Sequence, residues 1–192
     1  MKVKEYTSCF IGIPLPEEYQ QDFESLLVDV SQIEPLLETT YPKTPHITGY
    51  YLDKQSQFKI LNIAENVKSK IGLLKGVKLT VGGFGYFGGD DPKVIFLNVR
   101  YTEALKEFND AMTGSLSEYC APDNNLPSHP HMTVGRMRIP KVQQSFKKSV
   151  SILKNRLNKL SWTFPVTEVV LYGVDSTQSP QYQEKLISIS VR

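Results

Sequence analysis

The sequence predicts a domain of mixed helices and strands built from two copies of a strand–helix–strand–strand unit. Three observations lead to this prediction: apolar runs of strand length alternate with helical periodicity, a Pro-His-x-Thr motif occurs twice, and surrounding residues repeat at the same offset. Pro45-His46-x-Thr48 matches Pro130-His131-x-Thr133 at an offset of 85 residues. The same offset pairs Leu79 with Phe164, Val81 with Val166, Phe87 with Tyr172, and Gly88 with Gly173.

The first half of the chain, about residues 1–100, alternates strands with two helices. Its first strand is the apolar run Ser8 to Ile13, which Pro14 and Pro16 end. The elements that follow are a helix with the apolar stripe Tyr19, Phe23, Leu26, Val30 and Ile33, a strand over Pro45 to Leu52, a helix from about Gln55 to Ile71, and strands over Val77 to Phe87 and Val94 to Arg100.

The second half, about residues 101–192, repeats this order. Its elements are a helix with Leu105, Phe108, Met112 and Leu116, a polar loop over Ala121 to Ser128, a strand over Pro130 to Val134, a helix with Val142, Phe146, Val150, Leu153 and Leu157, and strands over Thr163 to Tyr172 and Lys185 to Val191. We therefore expect a single bilobal domain, residues 1–192, whose two pseudo-symmetric halves face each other across a cleft. Each half contributes one histidine to that cleft.

Composition places the chain among ordinary globular proteins. Its 192 residues suffice for a core, and 40% hydrophobic with 22% charged residues exclude a disordered chain. The net charge of +2 neither requires nor forbids a nucleic-acid partner. The sequence has no signal core and no apolar stretch of membrane-spanning length, so a cytoplasmic monomer without a membrane partner is expected. Cys9 and Cys120 are expected to be reduced structural thiols.

The two His-x-Thr motifs predict acid–base catalysis. His46 and Thr48 project from one strand face, as do His131 and Thr133, because side chains two residues apart share a face. Since imidazole titrates near neutral pH, one ring can accept a proton from an attacking water while the other protonates a leaving oxygen. The hydroxyls can bind phosphate oxygens whose charge grows in the transition state. In a single motif the histidine would more simply cap or fill a strand. Two equivalent copies instead favour phosphoryl transfer from a ribose cyclic phosphate, with no metal or other cofactor.

Three other residues are weighed beside the motifs. His129 lacks acidic or cysteine partners and is predicted to be a solvent-facing loop residue, not a metal ligand. Arg136 could hold a phosphate oxygen bidentately or serve only solubility. Phe10 alternates with residues that face the core, so it could stack on a nucleobase; the alternative is a second packed layer under a helix.

These motifs resemble those of the two-histidine phosphoesterase superfamily, and most of all its RNA 2′,3′-cyclic phosphodiesterase branch, historically called 2′-5′ RNA ligase. The resemblance covers nearly the whole chain. Segments similar to the family's are the opening strand and helix start (Phe10 to Glu18), a glycine-bearing strand (Leu79 to Phe87), the second motif with its arginine (His131 to Arg136), and the closing hairpin (Leu171 to Tyr182). One departure is Gly49, where the family usually has a bulky apolar residue.

The resemblance implies an α+β fold in which duplicated strand–helix–strand–strand units place antiparallel sheets around a central cleft. It implies hydrolysis of 2′,3′-cyclic phosphate ends of RNA to 2′-phosphates, with reversible 2′-5′ ligation as a side activity. It makes His46 and His131 the acid–base pair and Thr48 and Thr133 phosphate-binding groups, and it favours Arg136 as a substrate contact.

Other functions stay open beside this one. A phosphodiesterase for 2′-5′-linked oligoadenylates or cyclic oligonucleotide signals would use the same four residues, because each substrate presents a scissile phosphate beside a ribose hydroxyl. Pocket shape decides between them, and the loops over Leu37 to Thr44 and Ala121 to Ser128 are expected to set it. A non-catalytic RNA-binding module would not need both histidines and both threonines. A metal-dependent esterase is a further alternative.

Overall fold

The computed structural model describes residues 5–89, 92–100, 102–120, 129–137, 143–175 and 182–192. The strands are β1 (Glu5–Tyr6), β2 (Ser8–Pro14), β3 (Leu37–Thr39), β4 (His46–Leu52), β5 (Gln55–Ser56), β6 (Lys78–Phe87), β7 (Val94–Val99), β8 (His131–Met137), β9 (Ser161–Pro165), β10 (Glu168–Asp175) and β11 (Tyr182–Ser190). The helices are α1 (Gln20–Ile33), α2 (Gln57–Lys70), α3 (Glu103–Leu116) and α4 (Gln143–Leu157). The predicted loop Ala121 to Ser128 lies outside the described residues.

The helices form where the apolar periodicity predicts them. α1 buries Phe23, Leu26 and Val30, and α3 buries the predicted stripe from Leu105 to Leu116. Burial of such a stripe, more than intrinsic propensity, stabilises helices of this length. Within the described residues, no helix has the length and apolar character needed to span a membrane.

Nine of the described strands form one antiparallel sheet in the order β11-β10-β2-β4-β8-β7-β6-β9, with β3 pairing on β8. The sheet narrows at its centre, where β4 and β8 meet through one registered pair, Ile47 with Met132. This junction divides the sheet into two half-sheets, β11-β10-β2-β4 and β8-β7-β6-β9. The α+β fold with antiparallel strands is thereby confirmed.

The two halves of the sequence do not coincide with the two half-sheets. β7, which pairs with β6, also pairs with β8 of the second half. β10, which carries β11 on its other side, pairs with β2 of the first half. The predicted boundary near residue 100 therefore separates the repeats but not the half-sheets. The reason is that a repeat shows which elements are equivalent, whereas packing decides which copy each one joins.

The prediction of a single strand over Thr163 to Tyr172 is wrong, because this segment forms two strands, β9 and β10. β9 pairs with β6 in one half-sheet and β10 pairs with β2 in the other. The chain crosses between half-sheets at 166–167, where Val166 donates its backbone N–H to Val77 and Thr167 accepts one from Val191. The loop expected over Leu37 to Thr44 also begins with a strand, β3, which pairs with the edge of β8.

The two faces of the sheet have different roles. One face packs on the helices and carries the main core, to which Ile47 and Met132 belong. A smaller cluster of Phe10, Val170, Tyr172 and Val174 is separate from that core. Because side chains alternate along a strand, the residues that flank Ile47 and Met132 project from the opposite face, together with this smaller cluster.

Candidate active site

His46, Thr48, His131 and Thr133 come together on one face at the β4–β8 junction. Ile47 faces the core, so the two residues that flank it on β4 face the other way, and the same alternation applies around Met132 on β8. Continuing the antiparallel register of this pair places His46 opposite Thr133 and Thr48 opposite His131. The four residues predicted from the motifs therefore form two directly opposed His–Thr pairs on adjacent strands, and the two histidines lie diagonally across the junction.

The two imidazoles are held by equivalent hydrogen bonds. Nδ1 of His46 lies 2.7 Å from the carbonyl oxygen of Thr44, and Nδ1 of His131 lies 2.9 Å from that of His129. A carbonyl oxygen can only accept, so Nδ1 carries the proton in both rings. Nε2 is then the nitrogen available for proton transfer, as an acceptor in the neutral ring and a donor in the imidazolium.

Each imidazole also packs against two aromatic rings. The His46 ring centroid is 4.4 Å from that of Phe10 and 5.2 Å from that of Tyr172. On the other strand, the His131 centroid lies 4.8 Å from Phe87 and 5.0 Å from Phe96. These contacts, with the Nδ1 bonds, fix the orientation of both rings.

Burial does not support the predicted stacking of Phe10 on a nucleobase. The Phe10 side chain is only 3% exposed, because His46 and Tyr172 cover it. Gly12, two residues further along β2, makes room for this packing, since a Cβ there would lie 3.2 Å from Tyr172 and 3.3 Å from His46. Phe10 therefore packs under the imidazole of His46 and presents little surface to a nucleobase.

Arg136 reaches the site through a β-bulge. In an unbroken strand it would point away from Thr133, three residues earlier. Thr133 pairs with Phe96 and Gly135 with Ile95, so Val134 is an extra residue that reverses the alternation. Arg136 consequently shares a face with the two histidines, and its charge acts on both rings.

An equivalent bulge occurs on β4 and reveals a residue that sequence reasoning missed. Gly49 is skipped between the pairs Gly12–Thr48 and Ile11–Tyr50, which turns Tyr51 onto the site face beside Phe10. Tyr51 is 36% exposed, and the repeat offset of 85 residues aligns it with Arg136. The offset was the signal that could have identified it.

Burial and charge lower the pKa values of both histidines. The pKa of His46 falls to about 4, chiefly because burial disfavours the imidazolium; the bond to the Thr44 carbonyl opposes this, and the charges of His131 and Arg136 add to it. The pKa of His131 is lowered as well, again mainly by burial. Both rings are therefore neutral at pH 7 in the free protein, and an anionic phosphate between them favours protonation of one.

The residues two positions before each histidine are anchored by side chains from other strands. Thr44 donates its hydroxyl to Oε1 of Gln183 at 2.9 Å, and His129 bonds Oδ1 of Asn98 through Nε2 at 2.9 Å. The His129 side chain is exposed, as predicted. Within the described residues, no group of three or more His, Cys, Asp and Glu side chains is placed to hold a metal ion.

Comparison with known proteins places these features in a family. A model of the 2′-5′ RNA ligase superfamily matches residues 21–178. The RNA 2′,3′-cyclic phosphodiesterase of Geobacillus stearothermophilus is 27% identical over 176 residues, which are 91% of this chain and 54% of that protein. The enzyme of the same name from Thermotoga maritima is 27% identical over 136 residues, 67% of this chain and 69% of that protein. The chain thus spans about half the length of the Geobacillus relative.

Two solved structures share the fold over nearly their full length. TT0787 of Thermus thermophilus has a TM-score of 0.72 at 18% identity, and the match covers 96% of this chain and 98% of the TT0787 chain. E. coli LigT complexed with 3′-AMP has a TM-score of 0.71 at 18% identity, and the match covers 98% of this chain and 99% of the LigT chain. At these identities the likeness concerns the fold.

Proposed function

Because the chain belongs to the 2′-5′ RNA ligase superfamily, we propose that it is a phosphodiesterase that hydrolyses 2′,3′-cyclic phosphate ends of RNA. The observation that carries this proposal is the pair of imidazoles on adjacent strands, each with Nδ1 bonded to a carbonyl and Nε2 left for proton transfer. Two relatives named RNA 2′,3′-cyclic phosphodiesterase support the substrate class. The LigT complex with 3′-AMP supports a nucleotide ligand.

The hydrolysis needs one proton removed and one supplied. Nε2 of a neutral imidazole accepts a proton from water as its oxygen forms a bond to phosphorus. The bond from phosphorus to the ribose 3′-oxygen breaks, and the second imidazole, protonated at Nε2, donates its proton to that oxygen. The product carries a 2′-phosphate and a free 3′-hydroxyl. Which of His46 and His131 takes each role follows from the direction in which the RNA end lies.

Charge on the phosphate is stabilised by the other site residues. Thr48 and Thr133 donate their hydroxyls to the non-bridging oxygens, and the Arg136 guanidinium binds one of them. The anionic phosphate also raises the lowered pKa values of the histidines, so one ring becomes protonated when substrate binds. No step of this scheme requires a cofactor.

The terminal nucleobase binds on the His46 side, against Tyr51. This is the exposed aromatic ring on the site face of β4, whereas Phe10 beside it on β2 is buried. Its counterpart in the repeat is a cation, Arg136. When Arg136 holds the phosphate at the junction, the base lies on the Tyr51 side of the site. The difference between Tyr51 and Arg136 therefore orients the substrate.

The test is hydrolysis of an RNA oligonucleotide ending in a 2′,3′-cyclic phosphate, with EDTA present and products separated by chromatography. A 2′-5′ oligoadenylate and a cyclic dinucleotide are assayed beside it. Opening of the cyclic end to a 2′-phosphate is the expected result. If the cyclic-phosphate RNA is not opened but either other substrate is cleaved, the protein would instead be a phosphodiesterase that degrades signal nucleotides. If none of the three is cleaved, an RNA-binding module would be favoured.

A further inference from the structure

His129 and Asn98 form a contact that the proposed reaction does not use. His129 precedes the second motif, and its carbonyl accepts the Nδ1 proton of His131 at 2.9 Å. Its own ring bonds Asn98 on β7 at 2.9 Å. Asn98 bonds in turn to the carbonyl of Phe84 at 2.8 Å, within the irregular part of β6.

In this series of hydrogen bonds, the direction of each bond determines which atom donates in the next one. The Phe84 carbonyl can only accept, so the amide nitrogen of Asn98 faces it and the amide oxygen Oδ1 faces His129. An amide oxygen also only accepts, so Nε2 of His129 carries a proton. The neutral His129 ring is therefore the Nε2–H tautomer, opposite to that of His131.

We propose that Asn98 and His129 are a positioning pair that sets the tautomer and orientation of His131. Asn98 holds the His129 ring against β7 and thereby fixes the carbonyl that receives the Nδ1 proton of His131. With that carbonyl in place, Nε2 of His131 is directed at the substrate. The kinetic consequences of this inference rest on the proposed function, whereas its tautomer assignments do not.

The other half of the molecule lacks a titratable group at the corresponding place. Thr44 occupies the position of His129, and its hydroxyl is held by Gln183 from β11. The two histidines are thus oriented by the same backbone bond but anchored by different side chains from different strands. This makes the Asn98–His129 pair specific to His131.

The tautomers can be measured directly because the chain has only three histidines. Ring ¹⁵N chemical shifts distinguish protonated from unprotonated nitrogens, and single substitutions of each histidine assign the signals. Above the titration range, we expect Nδ1–H for His46 and His131 and Nε2–H for His129. In Asn98→Leu we expect His129 to populate both tautomers and the Nδ1–H signal of His131 to lose intensity. Unchanged tautomers in Asn98→Leu, or mixed tautomers of His129 in the wild-type protein, would overturn the proposal.

Asn158→Ala is the matched control. Asn158 accepts the backbone N–H of Phe84 at 2.8 Å, so this variant loosens the same segment without touching His129. We expect it to keep wild-type tautomers, whereas loss of the His131 tautomer in this variant too would reduce Asn98 to a structural role. Thermal unfolding of both variants establishes that they fold.

Kinetics then separate positioning from binding. Asn98→Leu is expected to lower kcat about 10- to 100-fold with little change in KM, because a displaced imidazole impairs the proton transfer more than ground-state binding. His129→Ala should give a similar loss, and the double variant no further one. An additive double variant would contradict the relay through His129.

Discussion

The His46 and His131 sides of the site hold their imidazoles in the same way and differ in the side chains that follow each bulge. Both histidines donate Nδ1–H to the carbonyl two residues earlier, and both precede a β-bulge. Beyond the bulge, however, one strand presents Tyr51 and the other Arg136. In the proposed mechanism, both copies of the repeat therefore supply a group that moves protons, whereas the positions proposed to contact the rest of the substrate differ. This difference would give the proposed acid–base pair a direction.

The largest effect is expected from removing either imidazole. His46→Ala and His131→Ala should each lower kcat by about 10²- to 10⁴-fold, because each loses one proton-transfer step. The fold should persist, since both rings project from the site face. Activity on the cyclic-phosphate RNA and circular dichroism measure the two effects. Near-full turnover by either variant would contradict a paired mechanism.

Substitution of Arg136 separates its charge from its geometry. Arg136→Ala should lower kcat/KM by about 10- to 100-fold, the cost of a lost charged hydrogen bond of about 1.5–3 kcal/mol. The variant should also raise the pKa of both histidines, because a positive charge that lowers them is gone. Arg136→Lys should keep the pH profile but lose much of the rate. Arg156→Lys, on α4 beside Asp29, is the control. Unshifted profiles in Arg136→Ala would place the guanidinium away from the rings.

Acid should lower the free energy of unfolding of the protein, because the buried His46 ring resists protonation in the folded state. The folded-state pKa of His46, about 4, lies below the unfolded value of 6.5, so the folded state binds fewer protons between these limits. Stability is therefore unaffected above pH 6.5 and falls as the pH drops from 6.5 towards 4. Allowing for the partial exposure of the ring, we expect a loss of about 1–2 kcal/mol. Urea unfolding of the wild type and His46→Gln between pH 7 and 4 tests this, and parallel curves would show that His46 contributes nothing.

The smallest effect is expected at Tyr51. Tyr51→Ala should raise KM for the cyclic-phosphate RNA about fivefold, equivalent to about 1 kcal/mol of stacking on one base, with kcat little changed. Tyr51→Phe should retain wild-type KM because the ring is what stacks. An equal loss in both variants would mean that the hydroxyl matters instead, and no change in either would remove Tyr51 from the substrate path.

Much of this comparison could be predicted from the repeat. The offset of 85 residues aligns the motifs, pairs Phe87 with Tyr172 and pairs Tyr51 with Arg136. Phe87 and Tyr172 do occupy matching places, although each packs against the histidine of the other repeat. Asn98 and Gln183 had no such signal. They act through side-chain contacts to residues far away in sequence, and nothing in their own neighbourhood marks them.

Local patterns determined the helices, the histidine strands and the groups to which the proposed chemistry is assigned. Periodicity and the spacing of two residues in His-x-Thr need only a few neighbouring positions, and alternation along a strand follows from backbone geometry alone. Tertiary structure decided that each hairpin completes the half-sheet of the other repeat and that Val134 and Gly49 bulge. It also decided the burial of Phe10. These outcomes depend on how strands distant in the chain pair and pack, and that free energy belongs to the assembled sheet and not to any single segment.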